Sequence, residues 1–83
     1  MIVPKAVYEV EGVETYLQKR NIYNQYRKAK AQILLWLIHQ VWFKRREPKA
    51  QDIRYFRINK QYRALGKFDN DGNFIVWKID NHQ

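Results

Sequence analysis

Apolar residues recur along this chain in two rhythms, and each predicts its own kind of element. From Ile53 onward apolar and charged residues alternate with the period of two that half-buried strands require, which predicts strands over 53–59, 61–68 and 73–80. In the first, Phe56 and Ile58 share a face. In the second, Tyr62, Ala64, Gly66 and Phe68 share one, leaving Arg57, Arg63, Leu65 and Lys67 on the other side of the pair. In the third, Ile75, Trp77 and Ile79 fall on one parity and Val76, Lys78, Asp80 and His82 on the other. The turn Asp69-Asn70-Asp71-Gly72 offers a residue suited to positive φ. Strands joined this closely pair antiparallel.

The first half follows the helical rhythm instead. Val13, Tyr16 and Leu17 have the i, i+3, i+4 spacing of one buried face, predicting a short helix to Arg20. Asn21 can cap the start of a second helix of about 20 residues, whose stripe is Tyr26, Ala29, Ile33, Leu37 and Val41. Pro48 disfavours helix at the residue before it, so Lys44 to Gln51 reads as a polar connector. Ahead of the helices, Ala6 to Val10 alternates imperfectly as an N-terminal strand ended by Gly12. The expected fold is α+β, with that strand and two helices packed on one face of a mostly antiparallel sheet. At 83 residues it reads as a single domain over 1–83.

Composition narrows the chemistry. With no cysteine there is no disulfide or thiolate metal site, and two distant histidines make a poor ligand set. No metal and no cofactor are expected, and a reducing cytoplasm fits. Three Trp, six Tyr and four Phe supply the core. The run Ile33 to Phe43 is broken by His39 and Gln40 and falls short of the roughly 20 apolar residues of a membrane span. Pro4, Lys5 and Glu9 interrupt the start where a signal peptide would be apolar.

Charge points to a polyanion. Sixteen Lys and Arg against eight Asp and Glu give a net charge of +8, which favours association with nucleic acid, ribosome, anionic lipid or an acidic protein. Lys19, Arg20, Arg27, Lys28 and Lys30 surround the second helix start, a sign unfavourable for its dipole. They read either as a polyanion contact or as a solvated face. Lys44, Arg45, Arg46 and Lys67 extend the basic set. The end of that helix is apolar almost all round. Trp36, Ile38, Trp42 and Phe43 are therefore either a docking surface for another chain or are covered by the first helix and the 44–51 connector.

The string Phe56-Arg57-Ile58-Asn59-Lys60-Gln61-Tyr62-Arg63-Ala64, the turn ending Asp71-Gly72 and the closing Ile79-Asp80-Asn81-His82 resemble the RelE/ParE toxin superfamily. The similarity is greatest to its HigB-type branch and covers roughly 53–82. It implies a RelE-like fold and a type II toxin neutralised by a cognate antitoxin, with cleavage of mRNA in the ribosomal A site and no metal. It also implies that Arg63 stabilises the scissile phosphate and His82 transfers a proton. The branch's tyrosine before the final histidine is Asn81 here, and asparagine is neither acid nor base.

The residues suit that chemistry. Metal-free RNA cleavage must move protons at the 2′-OH and the 5′ oxygen and stabilise charge on the phosphorane. A placed histidine does the first kind of work, and fork-shaped guanidinium groups such as Arg57 and Arg63 do the second. Lys60 and Lys78 are the remaining proton carriers, since neighbouring cations favour a neutral lysine. Two alternatives share the same sequence. One is a non-enzymatic ParE-like inhibitor of a protein such as DNA gyrase, and the other is a toxin that only binds RNA.

Overall fold

The computed structural model describes residues 3–36, 43–47 and 49–81. In chain order these form β1 (Val7–Glu9), α1 (Val13–Lys19), α2 (Tyr23–Leu34), β2 (Lys44–Arg45), a 3₁₀ turn (Lys49–Gln51), β3 (Arg54–Arg57), β4 (Tyr62–Phe68) and β5 (Phe74–Asn81). The five strands make one open sheet in the order β1-β5-β4-β3-β2. β1 runs parallel to β5, with Val7 opposite Phe74, and every other pairing is antiparallel. The fold is thus α+β with two helices and a mixed sheet.

Both helices cover the same face, because their buried residues and one side of the sheet form a single cluster. Leu17, Tyr26 and Ile33 meet Val7, Phe56, Ala64, Phe74 and Val76 there. The rings of Phe56 and Phe74 lie 6.2 Å apart, and Tyr26 lies 5.8 Å from Phe56. At the rim, the Tyr26 hydroxyl donates to Glu9 Oε2 at 2.6 Å and Lys30 Nζ donates to the same oxygen at 2.9 Å. This ties α2 to the edge strand β1.

The second helix departs from its expected limits at both ends. Ile22, not Asn21, stands at the N-cap, without a side-chain cap. Asn21 instead takes φ 57° in the tight corner between α1 and α2, a left-handed conformation that Asn tolerates well. The helix stops at Leu34, closed by Leu35 N–H to the Ala31 carbonyl and Trp36 N–H to the Ile33 carbonyl, with Trp36 at φ 67°. A left-handed residue after a helix is normally advertised by Gly or Asn. Tryptophan gives no such signal. The stripe holds for Tyr26, Ala29 and Ile33, while Leu37 and Val41 lie outside the described residues.

Two features of the sheet also differ from expectation. Lys44–Arg45, read as connector, is a short charged strand on the edge beside β3, which discourages further pairing there. More consequential is a bulge: Leu65 stands opposite Lys78 but Gly66 stands opposite Val76, so Trp77 is an extra residue on β5. It resets the parity. The buried row of β5 is Phe74, Val76 and Ile79, in place of the expected Ile75, Trp77 and Ile79, and Trp77 is 38% exposed. Gly66 is required at this point, because a Cβ there would collide with the Ile75 carbonyl oxygen and lie 2.9 Å from Phe74 Cζ. Among the described residues no helix is long and apolar enough to cross a membrane.

Candidate functional site

With both described helices on one side, the other face of the sheet is open among the described residues, and strand register decides what it carries. Residues directly opposite in an antiparallel pair project to the same face. Arg57 stands opposite Arg63, Arg63 opposite Asp80, Tyr55 opposite Leu65, Leu65 opposite Lys78, Lys67 opposite Ile75, and Lys44 opposite Tyr55. The open face therefore holds Lys44, Arg57, Arg63, Lys67 and Lys78 with one acid, Asp80. Like charges directly across a strand pair are destabilising. The register thus sets two guanidinium side chains, Arg57 and Arg63, side by side on this face.

Around Arg63 the surface is hollowed. Arg46, Tyr55, Arg63, Leu65 and Asp80 line a depression of about 190 Å³. Leu65 is its buried floor, and the Arg63 guanidinium carbon lies 5.0 Å from the centre of the Tyr55 ring. That stacking holds a planar fork in place. Asp80 is half-buried beside it, and among the described residues no ion pair joins the two.

Arg57 shares the register with Arg63 but not the hollow. Its Nε donates to the Asn59 carbonyl at 3.2 Å. It borders a second depression at the sheet edge, with Lys28, Gln25 and Gln32 from α2. Lys78 sits exposed on the open face, two residues before Asp80, whereas Lys60 is exposed in the β3–β4 turn outside the ladder. His82 lies outside the described residues.

The remaining basic residues divide by what they touch. Lys30 is held by Glu9 and is not available to a phosphate as expected. Arg45 Nη2 lies 3.5 Å from Asp52. Arg20 stacks on Tyr16 at 3.6 Å and Arg27 lies 5.9 Å from the Tyr23 ring, both with exposed surface. Lys19, Lys28, Lys44, Arg46 and Lys67 are exposed. Among the expected docking residues, Trp36 is 74% exposed and its neighbour Leu35 68%. Phe43 is different: it packs edge-on against Phe68 and Phe74 at 5.9 and 5.1 Å, so it belongs to the core rim. Ile38 and Trp42 lie outside the described residues.

Reading the sequence missed Tyr55 as part of the site, and it placed Asp80 on the face with Lys78 without giving it a role there. The signal was present in the alternation, since Tyr55 shares parity with Arg57 and Asp80 falls with Lys78. Among the described residues no group of His, Cys, Asp or Glu could hold a metal. No protein-family model, curated protein or solved structure matches this chain.

Proposed function

We propose that this chain is the toxin of a type II toxin-antitoxin pair, a ribosome-dependent mRNA endonuclease with a RelE-like fold of the HigB type. The observation that carries the reading is the Arg57–Arg63 cross-strand pair on the face opposite the two described helices, beside a hollow walled by Arg46, Tyr55 and Asp80. Paired guanidinium groups match a phosphate and its charged phosphorane in geometry and sign. Those two arginines belong to the motif on which the family resemblance rests. Exposed Lys19 and Lys67 would hold ribosomal RNA, and exposed Leu35 and Trp36 would meet the antitoxin.

A second reading, an RNA binder without cleavage, draws on Asn81. Its side chain is occupied by Gln61 and carries no transferable proton. Inducing the chain in cells and mapping transcript ends separates the two. New mRNA ends bearing 2′,3′-cyclic phosphates are expected. Intact messages with arrested translation would move the assignment to the binder, and intact messages with broken DNA to the gyrase-directed alternative.

A further inference from the structure

Beyond the phosphate pair, the open end of β3 carries a second depression that the proposed chemistry does not use. β2 pairs only with Arg54 and Tyr55, so the edge from Phe56 to Asn59 has no strand beside it among the described residues. α2 flanks this edge instead, and the space between them is a hollow of about 300 Å³, the lower end of the range for small-ligand clefts. Buried Ala29 and Ile58 form its apolar base. Its polar lining among the described residues is Gln25, Lys28, Gln32, Arg57 and Asn59.

One wall is fixed before any ligand arrives. Asn59 Oδ1 accepts the backbone N–H groups of Gln61 and Tyr62, both at 2.8 Å, and Asn59 Nδ2 donates to Gln25 Oε1 at 2.8 Å. Asn59 is thus a strut that takes up the Gln25 amide oxygen, and the Gln25 amide nitrogen remains a donor. Amides over an apolar base read the edge of a nucleobase, and cations at the rim take the phosphate. The two hollows adjoin through the arginine pair: Arg63 lines one, Arg57 the other, and directly opposite residues are about 5 Å apart.

We infer that the hollow between α2 and the free edge of β3 is a nucleotide subsite, holding the unpaired RNA nucleotide next to the one bound at Arg63. This rests on the RNA reading above. The RNA backbone crosses the sheet rim at Arg57 and Arg63, Lys28 contacts the flanking phosphate, and Gln25 donates to the base.

The test is binding of a fluorescein-labelled 2′-O-methyl pentanucleotide, which cannot be cleaved, measured across salt concentration. Lys28→Ala should weaken binding and lower the salt slope by about 0.7, the value for one phosphate on a single strand. Gln25→Ala should weaken binding without changing the slope. Lys5→Ala removes the same charge beside Gly72, at the opposite end of β4, and should change neither. Equal losses in Lys28→Ala and Lys5→Ala would overturn the inference in favour of net charge alone. Wild-type binding in Lys28→Ala with loss in Arg63→Ala would overturn it and leave the RNA reading standing. Absence of binding by the unaltered chain, both free in solution and on purified ribosomes, would remove both.

Discussion

Gln61 Nε2 donates to Asn81 Oδ1 at 2.9 Å, fastening the start of β4 to the end of β5. The same register sets Asn81 opposite Tyr62 and Asp80 opposite Arg63. Asn81 therefore projects to the side of the sheet that the helices cover, away from Arg63. A side chain at position 81 does not face the arginine pair along the ladder.

The consequence is testable in one substitution. Asn81→Ala removes an exposed hydrogen bond, and should lower stability by about 0.5–1 kcal/mol while RNA binding and growth arrest stay unchanged. Urea unfolding beside a growth assay measures both. Loss of toxicity with the fold intact would place Asn81 in the chemistry.

Gly66→Ala addresses the bulge. Because the added methyl meets the Ile75 carbonyl and the Phe74 ring, the β4–β5 ladder must shift, at a cost of about 1–3 kcal/mol. The urea midpoint should fall with little change in slope. An unchanged midpoint would mean that the strand can absorb the methyl at no cost.

How much of this was legible beforehand turns on where the information resides. The alternation in β4 was readable because Ala64, Gly66 and Phe68 face a core while Arg63 and Lys67 do not, and one strand's own sequence records that. The parity of β5 was not. Trp77 is as apolar as any core residue, and the bulge that turns it outward arises from its register against Gly66, a relation between strands. Likewise the parallel pairing of β1 with β5 joins residues far apart in sequence, and the end of α2 at a left-handed Trp36 has no compositional mark. Within the site, Arg57 and Arg63 were legible from alternation. Asn59 and Gln25, which meet only when α2 lies against the β3 edge, were not.

Tyr26 and Glu9 give a stability prediction with a pH signature. Burial, then the hydrogen bond to Glu9, pushes the Tyr26 hydroxyl far above the ordinary phenol value of 10.0. A folded-state value raised in this way means the contribution is complete below the unfolded phenol's titration and is lost as pH rises beyond it. Tyr26→Phe should cost about 1–2 kcal/mol near neutrality. The difference between the two proteins should narrow above pH 10.0. A difference that stays constant into alkali would show that the hydroxyl titrates alike in both states.

At the other end of the sheet, Asp69 is the acid-side counterpart. Its carboxylate accepts the backbone N–H groups of Asn73 and Asp71 at 2.9 and 2.8 Å, and the bond from Asn73 leads in drawing its titration below the usual 3.8. The depressed value makes this contribution present above the unfolded carboxyl's titration and lost as pH falls through the folded one. Carboxyl-detected NMR should place the Asp69 midpoint below 3.8. A midpoint at or above it would leave the turn held by Gly72 and backbone bonds alone.

Arg63 is the sharpest test of the proposed chemistry. Its guanidinium lies over the Tyr55 ring and, among the described residues, pairs with no carboxylate, so Arg63→Ala should cost the fold only about 0.5–1 kcal/mol of cation–π stabilisation. Cleavage should suffer far more, by about 10²–10³-fold, as when one fixed group is removed from a developing oxyanion. Arg63→Lys should recover little of it, since an ammonium replaces a planar fork by a point charge. The measurement is the rate of message cleavage on purified ribosomes, with circular dichroism and urea unfolding as the control for folding. If Arg63→Ala cleaves at the wild-type rate, the phosphate is held elsewhere and the open face loses its role.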